Sequence, residues 1–160
     1  MSVFDLDSVD IHGNPSPLGR FRGQPMLVVN TASLCGFSSQ FKGLEAIWQN
    51  NKDKGLIVLA VPSNDFGHQE PGNNAVIVGL CTRKFGITFP VLAKSPVTGP
   101  KAHPLFKWLS EEGGFLARPR WNFYKYLIAP DGQLKHWFSP LTSPDAPRFQ
   151  RAIKGLMAGL

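Results

Sequence analysis

Two short apolar, β-branched runs, Met26-Leu27-Val28-Val29-Asn30-Thr31 and Leu56-Ile57-Val58-Leu59-Ala60-Val61, constrain this chain more than any other feature. Neither alternates with polar residues, so each reads as a strand buried on both faces. Between them, residues 38–54 place Phe41, Leu44, Ile47 and Trp48 at helical spacing, with Ser38 or Ser39 able to cap the start and Gly55 able to end it. Strand, helix and strand in that order imply a right-handed parallel crossover.

Residues 62–72 read as a polar loop. The run Ala75-Val76-Ile77-Val78-Gly79-Leu80 suits a strand or a buried helix, but Asn73 or Asn74 as a cap and the length of segment 73–84 favour the helix. Residues 89–92 form a short extended piece, 103–111 a helix ended by Gly113-Gly114, and 121–128 a strand. Pro130-Asp131-Gly132 then turns the chain into a second hairpin arm at 134–138. A last helix is expected over 144–157, with Ser143 as its cap and Pro144 at the first helical position. This order is the wiring of an α/β, thioredoxin-like fold, a central mixed β-sheet flanked by helices on both faces.

At 160 residues the chain is expected to form a single domain over 1–160, long enough to bury about 70% of its unfolded surface without a metal or a disulfide framework. With 16 Gly, 14 Pro and only 18% charged residues it is loop-rich rather than a helical bundle. No apolar run approaches the roughly 20 residues of a membrane helix. The opening MSVFDLDSVD lacks a basic, then apolar, leader, so the cytoplasm is expected and stable membrane association is not. His12, His68, His103 and His136 are scattered, and no Walker loop, dinucleotide-binding glycine motif or nucleophile elbow is present, so neither a metal nor a cofactor is expected. A hydrolase dyad of Cys35 with His68 lacks an orienting third group.

The net charge of +6 raises a different class of function, single-stranded nucleic-acid binding. Only residues 118–126, with Arg118, Arg120 and Lys125 among Trp121, Phe123, Tyr124 and Tyr126, fit it. Alternation would place Trp121, Phe123 and Lys125 on one face of a strand and Asn122, Tyr124 and Tyr126 on the other, which suits a core strand better. The remaining basic residues are dispersed, and no nucleic-acid partner is expected.

The two cysteines, Cys35 and Cys81, are too few for a disulfide scaffold and too far apart for a C-x-x-C motif. Cys35 falls in the loop between a buried parallel strand and a helix, where the crevice of an open α/β sheet forms and free N–H groups favour an anion. A thiol there should ionise readily, although a free cysteine is also a common inert core residue.

The stretch Asn30-Thr31-Ala32-Ser33-Leu34-Cys35-Gly36-Phe37, followed by Gln40-Phe41-Lys42-Gly43-Leu44-Glu45, resembles the active-site signature of the glutathione peroxidase family. Phe66-Gly67-His68-Gln69-Glu70-Pro71-Gly72, Phe85-Gly86-Ile87-Thr88-Phe89-Pro90, and Trp121-Asn122-Phe123 with the Asp131-Gly132 turn resemble its other motifs, in order, over about residues 3–150. The resemblance implies that a Cys35 thiolate cleaves the O–O bond of a hydroperoxide and becomes a sulfenic acid. It assigns Gln69, Trp121 and Asn122 as the N–H donors that complete a catalytic tetrad, and Cys81 as the resolving cysteine that forms a disulfide with Cys35. Formation of that disulfide would require the Cys81 segment to unwind.

Two positions depart from the family pattern: Ser63 stands where many relatives carry a third cysteine, and Asp65 where a Gln is usual. The connection at 110–120 lacks the insertion of tetrameric relatives, so a monomer with an open crevice is expected, taking hydrogen peroxide and organic or lipid hydroperoxides. The same resemblance favours thioredoxin over glutathione as reductant. A glutathione-dependent one-cysteine cycle and a peroxide redox sensor are the alternatives within the fold.

Overall fold

The computed structural model describes residues 1–159. Both apolar runs form strands in which every residue is buried, β1 (Met26–Thr31) and β2 (Ile57–Pro62). They pair in parallel with Val28 opposite Leu59, as the crossover requires. β3 (Lys125–Ile128) pairs antiparallel with the other side of β1, and β4 (Leu134–Phe138) antiparallel with β3, giving the mixed sheet β2-β1-β3-β4. The extended piece at 89–92 is a bridge on the outer edge of β2, where Ala60 N donates to Pro90 O at 3.1 Å and Ala60 O accepts from Leu92 N at 2.9 Å.

Alternation along the strands divides the core between the two faces of the sheet. Leu27, Val29, Val58 and Leu127 share one cluster with Phe41, Leu44 and Ile47 of α1 (Gln40–Asn51), Ile77 of α2 (Asn74–Gly79), and Phe149, Ile153 and Leu156 of α4 (Pro147–Ala158). Met26, Val28, Leu59 and Tyr126 share the other with Leu105, Phe106 and Leu109 of α3 (Pro104–Gly113). Helices thus cover both faces in the thioredoxin-like arrangement. Among the described residues no helix is long and apolar enough to cross a membrane.

The ambiguous segment is a helix, with Asn73 Oδ1 accepting from Val76 N at 3.0 Å as its cap. Its second half, Leu80–Lys84, widens into a π-turn that carries Cys81.

Two boundaries differ from the sequence reading. The strand expected over 121–128 begins only at Lys125, because residues 121–124 turn around the side chain of Asn30 and Phe123 adopts left-handed backbone (φ 66°). The last helix starts at Pro147 rather than Pro144: Ala146 N returns to Ser143 O at 3.0 Å in a preceding turn, the Ser143 hydroxyl donates to Asp145, and Pro147 takes the first-turn position.

Lys125 is 0% exposed, and burial pushes its ammonium from 10.5 down to about 7. The unfolded chain keeps that proton up to about 10.5, so the buried lysine destabilises the fold below pH 7 and stability is regained as the pH rises above it. Burial also raises Cys81 from 9.0 to about 11, which acts in the opposite direction above pH 9. Chemical denaturation of the reduced protein should therefore show stability increasing from pH 7 to 9, and the increase should disappear in Lys125→Met; a flat wild-type profile contradicts the burial of a neutral amine.

Candidate active site

β1 delivers the chain into the loop 32–34, and Cys35 caps the 3-10 turn Gly36–Ser39 that leads into α1. Its Sγ accepts from Phe37 N at 3.4 Å and the residue is 3% exposed.

The loop before Cys35 is fastened to the segment bearing Gln69. Leu34 N donates to Gln69 O at 3.0 Å, and the Ser33 amide and hydroxyl both donate to Glu70 Oε1, at 3.2 and 2.8 Å. Glu70 N in turn donates to Asn64 Oδ1 at 2.9 Å. Ser33 and Glu70 lie within the motifs but carry no role that the sequence alone reveals. Their signal is an acidic residue in an otherwise polar loop that is 1% exposed once folded.

Gly67 (φ 67°) and His68 (φ 52°) reverse the chain so that Gln69 comes back towards Trp121. The turn needs glycine twice over, since a Cβ at Gly67 would lie 3.0 Å from Trp121 Cη2 and 3.3 Å from Gln69 Cδ. Asn122 Nδ2 donates to Gln69 Oε1 at 3.1 Å and to Phe66 O at 3.3 Å, so Gln69, Trp121 and Asn122 form one cluster. The expectation that Asn122 offers N–H groups to the reacting atoms meets a different geometry. Both its amide hydrogens are used, and its buried Oδ1 is left without a partner. Asn122 therefore orients Gln69, holding Oε1 so that Nε2 faces away from it. Gln69 Nε2 and Trp121 Nε1 have no hydrogen-bond partner among the described residues and remain the available donors.

Cys81 is 8% exposed and is not bonded to Cys35; both thiols are free. Burial, with a smaller contribution from the Glu70 charge, raises it to about 11. Burial also raises the Glu70 carboxyl above its usual range, against the hydrogen bonds from Ser33 and the Lys94 charge. Asp65 is turned to another loop, where Oδ2 accepts from Val97 N at 2.7 Å and Thr98 N at 3.1 Å. Ser63 is fully buried and its Oγ accepts from Asp65 N at 3.2 Å. In the basic segment, Phe123, Tyr124 and Tyr126 are buried and Arg120 lies over the Tyr124 ring, so these three aromatics offer no face on which bases could stack.

The profile of the glutathione peroxidase family matches residues 3–110. The chain belongs to the glutathione peroxidase family. It is 44% identical to the glutathione peroxidase-like peroxiredoxin gpx1 of Schizosaccharomyces pombe, over 89% of this chain and 91% of that one. It is 38% identical to the hydroperoxy fatty acid reductase gpx1 of a Synechocystis species, over 90% of each. The crystal structure of Trgpx in apo form superposes with a TM-score of 0.79 at 36% identity, covering 99% of this chain and 97% of that one. The protein is a peroxidase, an oxidoreductase that uses hydroperoxide as its oxidant.

Removing the Glu70 charge tests the coupling across this site. In a Cys35→Ser background, Glu70→Gln should shift the pH profile of Cys81 alkylation to lower pH, from about 11 towards the ordinary 9.0. An unshifted profile would leave burial as the sole cause.

Proposed function

We propose that this peroxidase reduces hydrogen peroxide and organic or lipid hydroperoxides through Cys35, with Cys81 resolving the oxidised form and thioredoxin restoring both thiols. The observation that carries the reading is the cluster beside the Cys35 loop, in which Asn122 holds Gln69 and leaves the Gln69 amide and Trp121 indole N–H groups unpaired. The Cys35 thiolate attacks one peroxide oxygen and the O–O bond breaks heterolytically. Cys35 becomes a sulfenic acid, and the leaving alkoxide or hydroxide takes a proton to depart as alcohol or water. Negative charge develops on that leaving oxygen, and two preoriented donors lower its energy without being consumed.

In the second half, the Cys81 thiol gives up its proton, its sulfur displaces the sulfenic oxygen as water, and a Cys35–Cys81 disulfide forms. A buried thiol raised to about 11 is a poor nucleophile in place, so the reaction asks Cys81 to leave its pocket and the charge of Glu70. The Leu80–Lys84 π-turn supports that step, because a departure from α-helical hydrogen bonding is a natural point for local opening. Two electrons from a dithiol reductant return both cysteines to thiols.

A hydroperoxy fatty acid reductase among the relatives supports lipid hydroperoxides as substrates, and the description of several other relatives as glutathione peroxidase-like peroxiredoxins supports a protein dithiol over glutathione. We read residues 1–160 as one cytoplasmic domain, and the short connection between α3 and Trp121 supports its acting as a monomer.

The test is hydroperoxide consumption coupled to NADPH oxidation, with thioredoxin and its reductase in one arm and glutathione and its reductase in the other. Turnover is expected with thioredoxin and should be lost in Cys35→Ser and Cys81→Ser alike. Turnover with glutathione that survives Cys81→Ser would assign Cys81 a structural role and overturn the reductant.

A further inference from the structure

Peroxide reduction through Cys35 leaves the buried amine of Lys125 without a task. Lys125 lies on the sheet face that carries Leu127, is 0% exposed, and has no carboxylate within salt-bridge distance among the described residues. An unpaired amine in a protein interior is disfavoured against a hydrocarbon side chain of similar volume, so the groups its nitrogen meets are informative. Nζ donates to Gln40 Oε1 at 2.8 Å and to the Phe123 carbonyl at 2.9 Å.

These two acceptors belong to the two halves of the site. Gln40 is the first residue of α1, immediately after the turn that Cys35 caps, and its Nε2 donates onward to Pro140 O at 2.7 Å. Phe123 follows Asn122, and its left-handed backbone directs its carbonyl away from the strand ladder, where β3 has not yet begun. Lys125 thus joins segments 85 residues apart in sequence. A methionine would fill the space and leave both acceptors unpaired.

We propose that Lys125 is a positioning residue for peroxide reduction: its two hydrogen bonds hold the Trp121–Asn122 turn in register with the start of α1 and hence with Cys35. The inference rests on the Cys35 reaction proposed above. It concerns the donors that meet the leaving oxygen, so it separates two reactions of the same sulfur. Peroxide reduction needs both the thiolate and the donors; alkylation by iodoacetamide needs the thiolate alone.

The experiment compares the two rates by rapid mixing in a Cys81→Ser background, with folding checked by circular dichroism. In folded Lys125→Met, Cys35 oxidation by an organic hydroperoxide should fall by on the order of 10²-fold, while alkylation changes by less than about threefold. Lys125→Arg, which keeps N–H donors for both acceptors, should recover much of the loss. A peroxide-to-alkylation ratio equal to that of the parent protein in folded Lys125→Met would overturn the proposal. If that variant does not fold, Gln40→Leu removes the contact from the α1 side: a ratio lowered to the same extent supports the proposal, and an unchanged ratio overturns it. Failure of the underlying reading is distinguishable, since Cys35 in the otherwise unaltered Cys81→Ser protein would then not be oxidised by peroxide at all.

Discussion

The side chain of Asn30 is the contact on which the arrangement of this site most depends. It is fully buried in the central strand, at the end where the chain leaves the sheet for Cys35. Its Nδ2 donates to Trp121 O at 2.9 Å, its Oδ1 accepts from Tyr124 N at 3.0 Å, and its own carbonyl accepts from Phe123 N at 2.6 Å. One residue thereby satisfies the backbone polar groups that a continuing strand would have paired. Phe123 can then occupy a left-handed conformation that is costly for a side chain of its size. Without that turn, Asn122 would continue the strand instead of meeting Gln69.

The polar groups around the site are buried with partners that fix their direction. Glu70 holds Ser33, Asn64 holds Glu70, Asn122 holds Gln69 and Lys125 holds Gln40. In a low-dielectric interior each such bond is orienting as well as stabilising, and each unpaired member is expensive. The pattern leaves the N–H groups of Gln69 Nε2 and Trp121 Nε1 without partners among the described residues, as the proposed stabilisation of the leaving oxygen requires. It keeps Cys81 protonated in its pocket, where Glu70 opposes its ionisation. Both cysteines are buried, but Cys35 caps a helix start where its sulfur accepts from a backbone N–H, whereas Cys81 sits in a π-turn with the Glu70 charge opposing its ionisation, which suits a nucleophile that acts first and a partner that acts only after its segment moves.

Much of this was legible in the chain itself. Uninterrupted apolar runs identified the parallel pair β1 and β2, and helical spacing between them identified α1, because a doubly covered sheet leaves no alternation to misread. The motif around Cys35 and the segments bearing Gln69 and Trp121 were legible by resemblance. The turn at 121–124 was not, since Trp-Asn-Phe-Tyr has strand propensity and the interaction that overrides it comes from Asn30, distant in sequence. Ser143-Pro144 and Ala146-Pro147 are both plausible helix starts, and the local turn returning to Ser143 selects the second. Asn122 as an orienter rather than a donor to substrate depends on which of its atoms meets Gln69, and Lys125 as an internal strut depends on where its nitrogen ends. Neither is written in residue type or spacing.

The most direct test of the account is the second-order rate of Cys35 oxidation by an organic hydroperoxide in Asn30→Ala, measured by rapid mixing on protein shown to be folded. If Asn30 sets the turn that brings Trp121 and Asn122 to Gln69, the rate should fall by on the order of 10²-fold. A rate within about twofold of wild type would mean that the turn does not govern the chemistry.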